Sequence, residues 1–455
     1  MKRKKNPYVL FIIIHIILGL VLYYVPFTPT IFPIVALIIG ISYIVKNKNK
    51  NNEALYAAAY FVGAEMVMRM TRELPLYEMG KYSVIMFILI GMLFSGTKKS
   101  AGIYFLYILL LIPAIFITAE SIGYDTNIRK AIAFNLSGPV CLGISAMYCM
   151  DREISIKEVL RLIATFIFPI VSAVTYAFLY TPANIQEIVV NTTSNRALSG
   201  GFGANQVSTI LGLGMFLVFC QILLNSKNKT LLFLNVALFF VISYRGVITF
   251  SRGGIITGLI MIIILIAIVY INTNLKAKGK LISIIIGGIF LSLGVWTYSS
   301  IQTSGLIENR YANKDALGRE KESVLTGRET LMATELEMFF EHPITGVGVG
   351  RNKEIREEET SIDAPTHSEV TRLLAEHGML GLFALLILVF VPLNLYPANK
   401  QNIFLLSFFF FWALTINHAA MRLAAPAFVY ALSLLKVTFN EPTATPEKIK
   451  INEVQ

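Results

Sequence analysis

Charge is scarce in this sequence: Asp, Glu, Lys and Arg together make up 15 % of its 455 residues. A soluble domain carries about a quarter, so a globule wetted on all sides is excluded. Cysteine is nearly missing. Cys141, Cys149 and Cys220 are odd in number, lie inside apolar stretches and have no partner at metal-ligand spacing. That excludes a disulfide scaffold and a zinc site, and it reads the three thiols as small buried hydrophobes. Also missing are a DxD acidic pair, an HExxH helix and a GxSxG serine elbow, which removes the common metal-hydrolase and serine-hydrolase readings.

What fills the chain is apolar: 55 % of residues are hydrophobic and the mean hydropathy is +0.65. Apolar runs recur from end to end, and about 20 such residues let a helix cross a hydrocarbon layer roughly 30 Å thick. The expected fold is an all-α polytopic membrane protein of about 12–14 transmembrane helices, with one large outer-face loop carrying short helices. Candidate spans fall near 8–25, 30–45, 54–70, 82–96, 101–119, 131–150, 159–180, 206–224, 231–249, 254–271, 281–299, 379–396, 402–418 and 422–436. Residues 1–299 then form the N-terminal membrane helices, 300–378 the large loop, 379–436 the C-terminal helices and 437–455 a disordered cytoplasmic tail. The start, MKRKKNPYVLFIIIHIILGLVLYY, is followed by no small-residue cleavage site and reads as the first span.

The net charge of +11 does not indicate nucleic-acid binding, because the basic residues sit in short connections. One alternate set of loops holds Lys2, Arg3, Lys4 and Lys5, then Lys46, Lys48 and Lys50, then Lys98 and Lys99. It continues through Arg152, Lys157, Lys227, Lys229, Lys276, Lys278, Lys280 and Lys400 to Lys436, Lys448 and Lys450. The positive-inside rule assigns this set and both termini to the cytoplasm. The loops around Arg196 and Arg252 and the loop 300–366 then share the opposite face. A transporter of lipid-linked glycan or small solutes is the rival from another class. It predicts repeated halves and midplane ionisable residues, whereas no repeat is evident and intramembrane charge is scarce, Glu65 being the plainest case, with Arg69 and Glu120 at span ends.

Three polar stretches on the shared face carry candidate chemistry. Arg196 precedes the glycine-rich turn SGGFG, where backbone approaches a ligand closely and a guanidinium suits an anion. The alternative is a flexible connector whose arginine meets lipid headgroups. Ser251-Arg252-Gly253-Gly254 opens a helix, so backbone N–H groups and the guanidinium can address one anion. An interfacial anchor is the alternative for Arg252 and for the nearby Arg245.

In the large loop, Thr326-Gly327-Arg328 precedes an amphipathic helix with Leu331, Leu336, Phe339 and Phe340 as its buried side, ending before Pro343. GVGVG at 346–350 lacks the strand and the third spaced glycine of a dinucleotide loop, so it is a tight turn, with Arg351 directly after it. The run Arg356-Glu357-Glu358-Glu359 reads as a solvated face. Thr366 and Glu369 have capping-box spacing, which makes Thr366 the N-cap and His367 the first helical residue, with Gly378 ending the element. Positive dipole at a helix start favours a neutral, proton-accepting His367, as a general base for a hydroxyl requires. A histidine that hydrogen-bonds a loop is the alternative. If a diphosphate is handled, arginines rather than a metal neutralise it.

Ser-Arg-Gly at a span end, Gly-Arg before a loop helix, His342-Pro-Ile-Thr-Gly-Val-Gly, then Thr366-His-Ser-Glu with Leu-Leu-Ala-Glu-His-Gly-Met-Leu-Gly resemble, in that order, the O-antigen ligase and polymerase superfamily. The resemblance covers roughly residues 190–385. It implies a metal-independent, inverting C-type glycosyltransferase without cofactor, in the bacterial inner (cytoplasmic) membrane. Such enzymes take an undecaprenyl-diphosphate-linked glycan as donor on the outer face of the lipid bilayer. Ligases pass it to a lipid A-core acceptor, polymerases to another lipid-linked glycan. The family's essential arginines look like Arg252 and Arg328, and its essential histidine like His367. Arg196 resembles a further basic position; Arg245, Arg351 and Glu369 complete the candidate substrate contacts. One departure is His367-Ser368, where relatives often have His-Asn.

Overall fold

The computed structural model describes residues 7–121, 128–321, 328–360, 366–418 and 421–439, and helices account for nearly all of it. Ten are long and apolar enough to cross a membrane, from Pro7–Tyr24 to Glu369–Leu395, and Met79–Ser95 and Leu405–Thr415 are shorter apolar helices. Glu53–Met70 and Ala424–Leu432 are buried along most of their length. The chain is thus an all-α polytopic membrane protein. The expected span at 101–119 is broken at Pro113 into Gly102–Leu111 and Pro113–Ser121, because proline supplies no N–H to the helix before it.

Small residues decide which helices touch. Glu53–Met70 reads EALYAAAYFVGAEMVMRM, and its alanines and Gly63 let neighbours approach closely. The closest contact lies elsewhere. A Cβ built on Gly212 would stand 1.9 Å from the Gly254 carbonyl oxygen, and one on Gly258 would stand 2.4 Å from the Gly212 oxygen. Gly254 and Gly258 are four residues apart, one turn of a helix, so Arg252–Asn272 presents a backbone stripe to Ala204–Leu224.

Buried charge organises the centre of the bundle. Arg69 Nη2 donates to Glu65 Oε1 at 2.9 Å and to the Arg422 carbonyl at 3.2 Å. The other Glu65 oxygen accepts from Ala424 N at 2.8 Å. Lys81 Nζ lies 2.5 Å from Glu78 and donates to the Met421 carbonyl at 3.3 Å. A charge out of water persists only with such partners, and here three of the four ions also bond backbone of the turn 421–424. That turn carries Arg422.

At the opposite end Glu153–Ser155 pairs in parallel with Lys436–Thr438, and Lys436 Nζ sits 2.9 Å from Glu153. The tail expected to lack structure from residue 437 therefore begins as a strand; residues 440–455 lie outside the described residues. Cys141, Cys149 and Cys220 are free and buried.

Candidate active site

Arg196 and His367, from segments far apart in sequence, line one cleft of about 190 Å³ together with Ser194, Gly203, Ala204, Asn205, Gln206 and Arg422. Arg422 Nη2 donates to the carbonyl of Thr366, the residue before His367, at 2.7 Å. The Arg196 turn is set by Gly200 and Gly201, at φ 64° and 82°, where a side chain would be strained. Gly201 N bonds back to the Arg196 carbonyl at 2.9 Å.

Arg252 is the first residue of its helix, with Ser251 at the N-cap position in extended backbone. The Gly212–Gly254 seam brings that helix start against the cleft. Ser251 Oγ donates to Oδ1 of Asn205, a lining residue, at 2.9 Å, and accepts from Ser208 Oγ at 2.9 Å. Asn195 N donates to the Thr249 carbonyl at 3.2 Å, which ties the Arg196 segment to the same corner. Arg310 Nε donates to the Phe250 carbonyl at 2.8 Å, and Lys321 Nζ to Thr192 Oγ1 at 2.8 Å. Arg252, Arg310 and Lys321 thus form a basic group. Partial burial, then the Arg310 and Arg252 guanidiniums, holds the Lys321 ammonium below the usual lysine range. Burial pushes the Tyr311 hydroxyl up to about 12 while the same two arginines oppose it.

The remaining candidates are placed differently. Arg245 is buried in the bundle, donating from Nη2 to the Ala177 carbonyl, the Thr181 hydroxyl and the Leu198 carbonyl at 3.1, 2.9 and 2.8 Å, with Phe178 under its guanidinium. It lies outside the cleft lining and ties the Ile156–Tyr180 helix to the segment after Arg196. Arg351 opens Arg351–Thr360 and faces Glu354 at 3.8 Å. Glu369 is buried against Arg372, which also reaches Glu376 at 2.5 Å and the Asn135 carbonyl at 3.0 Å. The described part of the loop helix runs Arg328–Glu341; the Arg328 side chain lies outside the described residues.

Three expectations about the large loop are corrected. The N-cap is Ser368, whose side chain accepts from Thr371 N at 3.4 Å, and the helix begins at Glu369. The Thr366 hydroxyl is taken instead by Glu335, so His367 stands in the extended segment before the helix. The buried side of Arg328–Glu341 is Leu331, Thr334, Glu335 and Met338, while Phe340 is 73 % exposed. Glu335 is the reason: it accepts from Asn352 at 3.1 Å, Arg356 at 3.3 Å and Thr371 at 2.5 Å as well as from Thr366. Arg356, read as part of a solvated face, is accordingly buried, while Glu357 and Glu358 are exposed; the Glu359 side chain lies outside the described residues. One helical turn separates Asn352 from Arg356, so both face Glu335.

GVGVG is a turn, and what approaches it is protein backbone. Val347 N and Gly348 N donate to the Ala375 and Glu376 carbonyls at 2.9 and 3.1 Å, and Gly350 N to Glu376 Oε1 at 2.9 Å. Gly378, at φ 58° and ψ −137°, kinks the long helix where a Cβ would stand 2.7 Å from Gly346 N. Glycine run and kink hold in place the helix that follows His367.

Sequence reasoning missed Arg422, Arg72 and Glu335. Arg422 looked like the edge of a span, and Arg72 like one more base in a short loop. Their signal was present only as polar residues on the same predicted face. The comparisons add the family: residues 237–386 match the family described as O-antigen ligase, a stretch holding Arg252, Arg328, Glu335, Arg351, His367 and Glu369. No curated protein matches the chain at a significant level. The matched domain, similar to the O-antigen ligase family, contains both the Ser-Arg-Gly helix start and the histidine of the cleft.

Proposed function

We propose that this membrane enzyme moves a glycan from an undecaprenyl-diphosphate donor to an acceptor hydroxyl on the outer face of the bacterial inner membrane, as an O-antigen ligase acting on lipid A-core. The observation that carries the reading is the convergence of Arg196, His367 and Arg422 on one cleft beside the helix start at Arg252. In the transfer, the acceptor oxygen bonds the anomeric carbon on the face opposite the diphosphate. The anomeric carbon–oxygen bond to the diphosphate breaks, its electron pair stays on the leaving phosphate oxygen, and the acceptor proton passes to His367. Arg252, Arg328 and Arg196 neutralise the leaving charge. Ser251 positions Arg252 through Asn205, and Glu335 positions the His367 segment through Thr366.

A lipid donor also needs somewhere for its tail. An apolar groove of about 1030 Å³ runs along the Leu275–Gln302 helix from Lys280 to Trp296. Trp296 packs on Tyr311 at 5.1 Å, beside the Arg252 and Arg310 group. This continuity of apolar groove and basic group supports a polyprenyl diphosphate donor.

The test uses the full chain in proteoliposomes with an undecaprenyl-diphosphate oligosaccharide and separate acceptors. The expected product is a glycosidic bond formed by wild type, with His367→Ala slower by about 10²–10⁴. Wild-type transfer by folded His367→Ala would remove the base assignment. Glycolipid crossing the bilayer without transfer would restore the transporter. In cells, loss of a ligase leaves long lipid-linked polymer, whereas loss of a polymerase leaves single repeats.

A further inference from the structure

The cleft that holds His367 continues beyond it. Arg196, Gly203, Gln206 and Arg422 line both this cleft and a larger cavity of about 570 Å³, whose other walls include Arg69, Arg72, Tyr77 and Phe202. Among the described residues, no Asp or Glu lines either cavity. Arg69 is neutralised by Glu65 at 2.9 Å. Arg72 donates to the Gly201 carbonyl at 2.9 Å, and among the described residues neither Arg72 nor Arg196 has a carboxylate partner. Guanidiniums gathered without acids repel one another, and a bound anion relieves that repulsion. Tyr77 is 57 % exposed beside them. A ring face flanked by hydrogen-bond donors suits the apolar side of a sugar ring.

Arg252, Arg310 and Lys321 line neither cavity. They are a second basic group, tied to the Arg196 segment through Thr192 and Asn195 and continuous with the apolar groove at Trp296. Two separate basic groups suit two anions, and the Arg252 group adjoins the apolar groove for a lipid tail.

We infer that the groove of Arg72, Tyr77 and Arg422, with Arg196 at its border with the donor, receives the acceptor, and that the acceptor is an anionic glycan. It carries a carboxylate or phosphate close to the sugar whose hydroxyl meets His367. This rests on the transfer reading above for the role of His367, while the anion preference of the groove stands on its lining alone. The buried ions Glu65, Arg69 and Lys81 hold the turn that places Arg422, so they are positioning residues for the acceptor.

The experiment measures binding to the full chain in detergent by titration calorimetry, with a uronic-acid tetrasaccharide, neutral maltotetraose and inorganic pyrophosphate as probes. The acidic tetrasaccharide is expected to bind at least about tenfold tighter than the neutral one, and Arg72→Gln or Arg422→Gln to erase about that factor. Arg72→Lys keeps the charge and is expected to keep the preference, which separates loss of a cation from rearrangement at Gly201. Tyr77→Ala is expected to weaken both oligosaccharides equally. Equal binding of acidic and neutral probes overturns the inference, as does unchanged acidic binding in both glutamine variants at wild-type melting temperature. Pyrophosphate that displaces the tetrasaccharide in wild type and fails to bind Arg72→Gln assigns the groove to the donor, and overturns it too. His367→Ala is expected to bind the acidic probe normally. If that variant still transfers glycan, the catalytic reading fails alone and the acid preference stands.

Discussion

Glu335 Oε1 accepts from Arg356 Nη1 at 3.3 Å with both side chains out of solvent, and the same carboxylate accepts hydrogen bonds from the Thr366 and Thr371 hydroxyls. One buried carboxylate therefore joins the Arg328–Glu341 helix, the Arg351–Thr360 helix and the segment carrying His367. Replacing it with alanine takes a carboxylate from a buried guanidinium and the acceptor from two threonine hydroxyls.

Glu335→Ala is expected to cost about 3–5 kcal/mol of stability, read as a lower melting temperature in detergent, with transfer slowed because Thr366 loses its anchor. Glu335→Leu combined with Arg356→Met removes both charges and is expected to recover most of the melting temperature without recovering the rate. Equal damage from the single and double variants would show that the pair is not the cause.

The seam of Gly212 and Gly254 gives a prediction of sign. Alanine normally improves a helix over glycine by about 1 kcal/mol. At Gly212 its Cβ meets the Gly254 oxygen at 1.9 Å, so overpacking by about 1–3 kcal/mol is expected to win. Gly212→Ala should lower the melting temperature and weaken transfer, since Arg252–Asn272 must shift and Ser251 with it. Gly279→Ala, with nothing within 4 Å, should do neither.

Arg252 and Arg245 should separate cleanly. Arg252→Lys is expected to slow transfer on the order of 10²–10³ with the melting temperature kept, because an ammonium cannot fork across phosphate oxygens. Arg245→Met takes the donor from the Leu198 carbonyl, while Ala177 keeps its bonds from Thr181, and is expected to cost about 1–3 kcal/mol of stability, while the folded fraction keeps its KM. A raised donor KM in Arg245→Met would return that residue to the substrate contacts.

Lys321 makes anion binding depend on pH. Its ammonium is held below the usual lysine range, so it is protonated, and attracts an anion, only below that lowered value. Pyrophosphate binding should strengthen as pH falls through it and weaken as pH rises through it, from a lower pH than an ordinary lysine near 10.4 would give. A bound anion raises the value again, so binding takes up a proton there. Titration from about pH 7 to about pH 10 checks this; Lys321→Met should lose this contribution and keep only the dependence that pyrophosphate's own last ionisation imposes.

The helices were legible because each apolar run reports its own environment. That the polar segments around Arg196 and His367 meet on one face was legible too, since they fell in the same alternate set of loops. The helix start at Arg252 and the turn at GVGVG followed from local rules of backbone and capping. The buried face of Arg328–Glu341 did not, because hydrophobicity pointed to Leu336, Phe339 and Phe340 while Glu335 had better partners than water. The same competition moved the N-cap from Thr366 to Ser368: a carboxylate from another helix claimed the threonine hydroxyl.

By itself, then, the sequence determined a helical membrane chain, the face that bears its arginines, and a histidine beside a helix start. Those properties depend on residues within a few positions of one another. Tertiary structure alone decided that Arg196, His367 and Arg422 share a cleft, that Arg245 and Arg356 are buried ties, and that Arg72 and Tyr77 extend the groove. Such meetings depend on how closely helices pack at glycines such as Gly212 and Gly254, and on which buried ions find each other. Neither leaves a periodic mark on the residues involved.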